Sequence, residues 1–374
     1  MIYLDNAATT KPCEAAVKAA MDAVECFGNP SSLHRMGLDA EKIVKNSRKT
    51  IADLIGSRDE EVIFTSGGTE SNNTAIFGVA ARSKKKHLIT SQIEHPSVLE
   101  PFKQLEKNGY RVDYIGVDGN GRLNLDELSS KLDSDTALVS VMHVNNETGT
   151  IQPVNEIRKL IDEKTDGGLF HIDAVQSFGK IPLSVKNIGA DFVSLSAHKI
   201  NGFKGTGAIC IRNKNSLNPI IVGGGQQKNL RSGTENVIGI AAFGTAAKEK
   251  RDAEKIRALR KRLLDGIMSN IPDVKYNGSE DEFSPYILNV SFVGIKSEIL
   301  LHSLESVGIY VSTGSACSSN KPMPSHVLTA MGCTREEIMG AVRFSIGYDI
   351  TEDDIDFTIS ALSDKVAEIR KYMR

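Results

Sequence analysis

The sequence predicts an α/β protein with a large domain built on a mostly parallel sheet and a smaller α+β domain. Short apolar runs alternate with segments of helical periodicity from about residue 60 onward. The pattern changes after residue 236 to a long, mostly helical stretch. A length of 374 residues also exceeds the usual size of a single hydrophobic core, so we expect two domains.

The large domain begins with strands and helices in turn. The apolar runs EVIFT, KHLIT and ALVSVMHV are each followed by a helical pattern, in SNNTAIFGVAARS, PSVLEPFKQLEKNG and VNEIRKLIDEK. Such alternation predicts parallel strands joined by right-handed crossovers, with helices on both faces of the sheet. The strands LFHID, DFVSLS and GAICIR then follow without long helices between them, so we expect part of the sheet to be antiparallel.

The small domain is expected at the two ends of the chain. We place the large domain at 13–254 and the small domain at 1–12 and 255–374, with the boundary in the helical stretch. Beyond it lie the strand YILNVSFVG, the helix SEILLHSLESVG and the strand IYVST. A closing helix carries apolar residues at helical spacing, namely Ile355, Ile359, Leu362 and Val366.

The composition excludes several classes of function. With a net charge of −2, the chain lacks the basic excess of a dedicated nucleic-acid binder. The N-terminal stretch MIYLDNAATTKPCEAA lacks the basic lead and the apolar region expected of a leader peptide, and no run approaches the roughly 18 apolar residues of a membrane span. We therefore expect a cytoplasmic protein that does not contact membranes.

The cysteines indicate neither a disulfide framework nor a zinc site. There are five of them, widely scattered and without a C-x-x-C pair, at positions 13, 26, 210, 317 and 333. We therefore expect no metal, and each cysteine has to be judged from its own surroundings.

Polar residues follow several strands at the points where ligands bind in open α/β sheets. In VIFTSGGTESNN, the Gly67-Gly68-Thr69 turn before a helix is typical of a phosphate cradle, although a simple capped turn would read the same way. His95 follows another strand, immediately before a proline that can start a helix, and a capping or core histidine is the alternative there. Asn145, Asn146 and Glu147 end a third strand, where a turn is the alternative.

Two further strand ends supply a carboxylate and an amine. Asp173 and Gln176 follow LFHI, and Ser196, His198 and Lys199 follow FVSL. A lone aspartate there could be a cap, and a lone lysine could be a solvated end residue. Together, however, an amine for an aldehyde, an anion for a pyridine nitrogen and donors for a phosphate are what pyridoxal 5'-phosphate requires. No G-x-G-x-x-G follows a strand, so a nicotinamide cofactor is not indicated.

Motifs along nearly the whole chain resemble one family. From YLDNAATT through FTSGGTESNN, MHVNNETGTIQP, HIDAVQSFGK, SAHKINGFKGTGA, RSGTEN, STGSACSS and VRFSIG, the chain resembles cysteine desulfurases. These enzymes belong to fold-type I of the pyridoxal-phosphate enzymes and to the class V aminotransferase superfamily. The resemblance implies a mostly parallel seven-stranded sheet in the large domain.

The resemblance also implies roles around the cofactor ring. Lys199 would form the Schiff base, Asp173 would pair with the pyridinium nitrogen and His95 would stack on the ring. Asn146 and Gln176 would donate hydrogen bonds near the phenolic oxygen.

Other implied roles concern the phosphate and the substrate. Thr234 would reach the phosphate from the second subunit of a homodimer whose active site lies at the subunit interface. Arg343, with Asn146, would hold the carboxylate of the substrate, which a planar guanidinium fork suits well. The phosphate would be held within one subunit by Gly68, Thr69, Ser196 and His198.

Cys317 selects the reaction among those that this fold supports. It lies in STGSACSSNKPMPSHV, a stretch of small, polar and proline residues at about 312–325 that predicts an exposed active-site loop. Cys210, in the strand GAICIR, is expected in the core. The implied reaction converts L-cysteine to L-alanine with Lys199 as base, Cys317 as persulfide carrier and His95 in proton transfer.

The resemblance implies that sulfur passes from Cys317 to an iron–sulfur scaffold or a tRNA-thiolation carrier. Three alternatives stay open at this point. A selenocysteine lyase shares the fold but need not depend on the loop thiol, and another class V aminotransferase would need a keto acid instead. A protein that keeps the fold without chemistry would not need Lys199, Asp173 and Cys317 together.

Overall fold

Three sheets form the framework of the chain in the computed structural model, which describes residues 1–279, 281–313 and 324–372. In those residues the strands are β1 (Ile2–Tyr3), β2 (Val62–Thr65), β3 (His87–Ser91), β4 (Arg111–Ile115), β5 (Thr136–Met142), β6 (Leu169–Asp173), β7 (Phe192–Ser196), β8 (Gly207–Ile211), β9 (Val274–Tyr276), β10 (Ile287–Phe292), β11 (Ile309–Tyr310), β12 (Ser312–Thr313) and β13 (Ala341–Ser345). The helices in the same residues are α1 (Glu14–Val24), α2 (Arg35–Ile55), α3 (Gly68–Arg82), α4 (Pro96–Lys107), α5 (Leu125–Lys131), α6 (Val154–Lys164), α7 (Val185–Ile188), α8 (Val237–Ala246), α9 (Ala253–Asn270), α10 (Ser297–Glu305), α11 (His326–Ala330), α12 (Arg335–Met339) and α13 (Glu352–Tyr372).

The largest sheet has seven strands in the order β2-β8-β7-β6-β5-β3-β4. The strands from β7 to β4 are parallel, and β8 runs antiparallel to both of its neighbours. The predicted mostly parallel α/β sheet with an antiparallel part is therefore confirmed. The sequence patterns did not single out β4, because this edge strand is only partly buried and alternates with polar residues.

Helices cover both faces of this sheet, as the alternating pattern predicts. Adjacent residues of β5 show it: Val139 packs in one apolar cluster and Leu138 in another. The cluster around Val139 includes residues of α1, α2 and α8, and the cluster around Leu138 includes residues of α3 and α4. Because both faces are buried, the carboxyl edge of the sheet is where polar side chains can meet a ligand.

The N-terminal strand joins the C-terminal part of the chain. Strand β1 pairs with β11, and a four-stranded sheet has the order β12-β13-β10-β9. A separate apolar cluster contains Leu4, residues of α9 and α13, and the buried faces of β10 and β13. The domain boundaries at 12/13 and 254/255 stay a prediction.

Two stretches that the sequence predicts as single elements each form two elements. The long helical stretch after residue 236 consists of α8 and α9, and the side chain of Asp252 accepts the N–H of Lys255 at the start of α9. The run IYVST forms two short strands that belong to different sheets.

The closing helix α13 is confirmed, with Ile355, Leu362 and Val366 buried. None of the helices in the described ranges is long and apolar enough to cross a membrane.

Candidate active site

A cavity opens at the carboxyl edge of the seven-stranded sheet, where the N-terminal segment passes over the ends of β6 and β7. It has a volume of about 270 Å³, close to the lower end of the range for ligand pockets, about 300–1,000 Å³. Of the twelve residues that the sequence singles out, ten line it: Gly68, Thr69, His95, Asn146, Asp173, Gln176, Ser196, His198, Lys199 and Arg343. Thr234 is exposed and does not line the cavity, and Cys317 lies outside the described residues.

Lys199 ends a short 3₁₀ turn that directly follows β7. Its Nζ donates to the carbonyl oxygens of Ala7 and Ala8, at 2.6 and 2.7 Å. These carbonyls belong to the N-terminal segment, which therefore holds the amine at the wall of the cavity. A strand end on a buried sheet keeps such an amine in place better than a loop would.

Asp173, the last residue of β6, is buried and accepts two hydrogen bonds. Its Oδ1 accepts the N–H of Val175 at 2.9 Å, and its Oδ2 accepts Nδ2 of Asn72 at 2.7 Å. Both donors point at the carboxylate from residues that also line the cavity. The arrangement holds an anion in a fixed orientation.

His95 is the N-cap residue of α4, and its ring also lines the cavity. Its Nδ1 accepts the backbone N–H of Ser97 at 3.1 Å, while the ring lines the cavity. Burial lowers the pKa of His95, and the charge of Lys199 lowers it further, against the opposing effect of Asp173. The imidazole is therefore neutral at pH 7.

The backbone at Gly67 and Gly68 forms a turn at the start of α3, which we call the glycine cradle. A Cβ on Gly207 would lie 2.6 Å from Cα of Gly67, and a Cβ on Gly68 would lie 2.6 Å from a methyl group of Val175. Side chains at Gly68 and Gly207 are thus excluded, which leaves the N-terminus of the 15-residue α3 open to the cavity. Backbone N–H groups at such a terminus attract an anion.

His198 and Ser196 lie beside this cradle. His198 Nδ1 is 3.1 Å from Oγ1 of Thr9, and burial lowers the pKa of His198 to about 4, with nearby lysines acting in the same direction. The ring therefore acts as a neutral hydrogen-bonding group. The Oγ of Ser196 is buried without a hydrogen-bond partner among the described residues.

Gln176 reaches the cavity from the turn after β6. Its Nε2 donates to the carbonyl of Ala7 at 2.8 Å, and its Oε1 is buried without a partner in the described part of the chain. Unpartnered buried oxygens are costly unless another group satisfies them. Those of Gln176 and Ser196 therefore mark places where a ligand can make hydrogen bonds.

Arg343 projects from β13 of the small sheet and is buried. Its Nη1 donates to the carbonyl of Asn146 at 2.9 Å, and its Nη2 donates to Oδ1 of Asp5 at 2.7 Å. The sequence analysis missed Asp5, which lies 338 positions away along the chain. The guanidinium thus lines the cavity, held by Asp5 of the N-terminal segment and by Asn146 of the turn after β5.

Two buried glutamates, Glu94 and Glu147, flank the site. Ser325 Oγ donates to Oε2 of Glu147 at 2.6 Å, and His326 Nε2 donates to the carbonyl of Glu94 at 2.9 Å. Burial raises the pKa of both carboxyl groups, and that of Glu94 reaches about 8. These contacts join the start of α11 to residues beside His95 and Asn146.

Asn72 and Ser97 line the cavity but were not predicted from the sequence. One signal was available for Asn72, because it follows Thr69 by three residues on a helix and therefore shares its face. Cys210 is fully buried in β8, and burial raises the pKa of its thiol to about 12. The expectation that Cys210 belongs to the core is confirmed.

Comparisons with known proteins agree with this architecture. The family model Aminotransferase class-V matches residues 2–357. The cysteine desulfurase of Trichormus azollae is 43% identical over 377 residues, covering 99% of this chain and 94% of that protein. A solved structure of a NifS-like protein has a TM-score of 0.92 at 37% identity and covers 98% of this chain and 99% of its own. A structure of SspA in complex with cysteine has a TM-score of 0.84 at 33% identity, with coverage of 93% and 99%. The chain therefore belongs to the cysteine desulfurase family of class V aminotransferases.

Proposed function

We propose that this chain is a cysteine desulfurase that converts L-cysteine to L-alanine and takes the sulfur onto Cys317 as a persulfide. The observation that carries the proposal is the convergence of Lys199, Asp173 and Arg343 on one cavity. An amine, a fixed anion and a buried guanidinium are the groups that amino-acid chemistry with pyridoxal phosphate needs. The similarity to proteins named cysteine desulfurase supports this choice among the reactions of the fold.

The cavity fits pyridoxal 5'-phosphate. The unpartnered oxygens of Ser196 and Gln176 await hydrogen bonds, and the glycine cradle at the start of α3 suits a phosphate. Thr69 and His198 would add donors there, and Asp173 would face the ring nitrogen. When bound, the cofactor supplies an aldehyde for an amine and an electron sink for a carbanion.

We assign two tasks to Lys199. It would hold the cofactor through the aldehyde, and as a neutral amine it would take the α-proton of the substrate. The carbonyls of Ala7 and Ala8 keep Nζ at the cavity wall between these tasks. Proton transfer at carbon requires such positioning, because the base must lie within hydrogen-bond reach of the proton it removes.

Four neighbours support Lys199. Asp173, held in place by its two donors, would face the ring nitrogen of the cofactor and pair with its proton. The neutral, flat ring of His95 is suited to stack on an aromatic cofactor and to move a proton. Gln176 and Asn146 would donate to the phenolic oxygen.

Arg343 is assigned to the substrate carboxylate. Its Nε is buried without a partner among the described residues, while Asp5 and the carbonyl of Asn146 hold the other nitrogens. A planar fork of donors binds two carboxylate oxygens with defined geometry. Binding at Arg343 would fix the orientation of the substrate, and therefore of its Cβ–S bond, in the cavity.

The sulfur step follows from thiol chemistry. The Cys317 thiolate forms an S–S bond to the substrate sulfur as the Cβ–S bond breaks, and the electron pair of that bond stays on carbon. Protonation of that carbon gives alanine, and the enzyme keeps the sulfane sulfur. We propose an iron–sulfur scaffold or a thiolation carrier as the acceptor. We also propose a cytoplasmic location, because the reaction needs a reduced thiol.

We further propose a homodimer with the active site at the subunit interface. Large apolar side chains remain exposed on segments 27–38 and 220–222, with exposed fractions of 78% for Phe27, 95% for Leu33 and 77% for Val222. Such residues mark a protein contact when they lie together. Thr234 is exposed in the single chain, and in a homodimer it would contact the phosphate site of the second copy.

Trapping the persulfide tests the proposed function directly. The purified, cofactor-supplied protein is mixed with L-cysteine, alkylated and digested. The mass of the peptide that carries Cys317 is then measured by mass spectrometry. We expect one extra sulfur on Cys317, an equivalent of alanine, and neither product from Cys317→Ala, whereas Cys26→Ala should behave like the parent. Undiminished cysteine turnover by Cys317→Ala would instead favour a lyase that acts without the loop thiol. Amine exchange that depends on pyruvate would favour an aminotransferase.

A further inference from the structure

A continuous hydrogen-bonded chain links Asp173 to His95 through two residues that the proposed function leaves unassigned. Asn72 Nδ2 lies 2.7 Å from Oδ2 of Asp173 and 2.8 Å from Oγ of Ser97. Ser97 Oγ in turn lies 2.8 Å from Nδ1 of His95. Asn72 and Ser97 are both buried, and they come from different helices, α3 and α4.

A backbone N–H group determines which atoms donate and which accept at the histidine end of this hydrogen-bond network. The N–H of Ser97 points at Nδ1 of His95 at 3.1 Å, and a backbone N–H can only donate. Nδ1 must therefore be an acceptor, so the proton of the neutral ring lies on Nε2.

The direction at the other end is determined by the carboxylate. Oδ2 of Asp173 accepts this hydrogen bond, so the amide of Asn72 turns its NH₂ group toward Oδ2. The same NH₂ group then faces Oγ of Ser97 and donates to it. The hydroxyl of Ser97 consequently donates to Nδ1 of His95. Both ends of the network therefore require Nδ1 to be an acceptor.

We infer that Asn72 and Ser97 are positioning residues that keep the ring of His95 in its Nε2–H tautomer and tie it to the carboxylate of Asp173. This inference deepens the proposed function and rests on it for its catalytic meaning. It explains why a helix-capping histidine can also serve the cavity: the cap uses Nδ1 and leaves Nε2–H for the reaction. A protonated ring would place a second donor against the N–H of Ser97, so the network also resists protonation.

Charges around His95 come from several elements. Burial disfavours the protonated ring, and the charges of Lys199 and His326 act in the same direction. The charge of Asp173 on β6 favours the protonated ring. Removal of the Ser97 hydroxyl leaves all of these in place and deletes only one donor to the neutral ring. A net hydrogen bond of ordinary strength then corresponds to a rise of about 0.5–1 unit in the titration midpoint of His95.

The test is solid-state ¹⁵N NMR of histidine-labelled protein, with and without added pyridoxal phosphate, and with His95→Gln to assign the signal. We expect an unprotonated Nδ1 and a protonated Nε2 in the parent at pH 8. Ser97→Ala should raise the titration midpoint by about 0.5–1 unit, and Ser97→Thr, which keeps the hydroxyl, should restore it. If the contact only packs α3 against α4, the bulkier threonine would disturb it more than alanine does.

Three outcomes would overturn the inference: a protonated Nδ1 in the parent, an unchanged midpoint in Ser97→Ala, or a failed rescue by threonine. The parent spectrum decides the tautomer even if a variant does not fold, which circular dichroism would reveal. The measurement needs no turnover, so it can fail while persulfide forms on Cys317, and it can succeed while no persulfide forms.

Discussion

The buried carboxyl group of Glu94 allows a quantitative prediction for Glu94→Gln. Its side chain is fully buried beside His95, and Oε1 accepts the N–H of Met142 at 3.0 Å and the hydroxyl of Ser91. Its Oε2 has no partner among the described residues. Burial raises the pKa of Glu94 to about 8, and the negative charge of Asp173 adds to the shift. Glutamine keeps the accepting oxygen and the shape of the neutral acid, so the packing should be preserved.

The magnitude follows from proton linkage. The pKa of Glu94 is about 8 in the folded chain and 4.5 in the unfolded one, so its contribution to stability is complete below pH 4.5 and is lost as pH rises to 8. Each pH unit in that window costs the parent up to about 1.4 kcal/mol, whereas glutamine does not titrate. Between pH 5 and pH 8, the free energy of unfolding should therefore shift in favour of Glu94→Gln by about 3 kcal/mol.

Urea unfolding of parent and variant at pH 5, 6.5 and 8 measures this shift. All other titrating groups are common to both proteins, so their contributions cancel in the difference. Glu100→Gln is the matched control, because Glu100 is exposed and forms a surface ion pair with nearby Lys103. This variant should differ from the parent by less than about 0.5 kcal/mol. A difference between Glu94→Gln and the parent that stays constant from pH 5 to pH 8 would refute the reasoning, because it would mean that Glu94 ionises normally inside the fold.

Three further predictions concern the substrate, a core thiol and the start of α11. Arg343→Lys loses the planar fork, so kcat/KM for L-cysteine should fall about tenfold to hundredfold in steady-state assays; an unchanged value would contradict the carboxylate assignment. Cys210 should resist iodoacetamide until the chain is unfolded, because the thiol is buried with its pKa raised to about 12, and labelling of the native protein would disprove this. Ser325→Ala leaves the buried carboxyl of Glu147 without its donor and should lower the free energy of unfolding by about 1–3 kcal/mol, whereas exposed Ser306→Ala should change it by less than about 0.5 kcal/mol.

The sequence alone predicted the edge of the sheet at which the site lies. Lys199 and Asp173 each follow a buried apolar strand, and the carboxyl ends of parallel strands meet at one edge. That argument needs only local pattern and chain order. The same reasoning succeeded for Cys210, whose apolar neighbours predicted a core position.

Local pattern was insufficient where an element depends on its surroundings. Strand β4 is a half-buried edge strand, so its residues carry a weak apolar signal, and pairing with β3 is what defines it. The run IYVST reads as one strand, but its two halves find partners in β1 and β13, which lie in different sheets. Those partners come from distant parts of the chain.

The tertiary structure alone decided which groups hold the reactive side chains. Ala7 and Ala8 accept from Lys199, Asp5 accepts from Arg343, and Asn72 donates to Asp173 across separations of about a hundred to more than three hundred residues. Residue type and periodicity report on burial and local conformation, which short-range sterics and the hydrophobic effect control. Hydrogen bonds between distant residues depend on how the sheets and helices pack in three dimensions, and no local pattern encodes that packing.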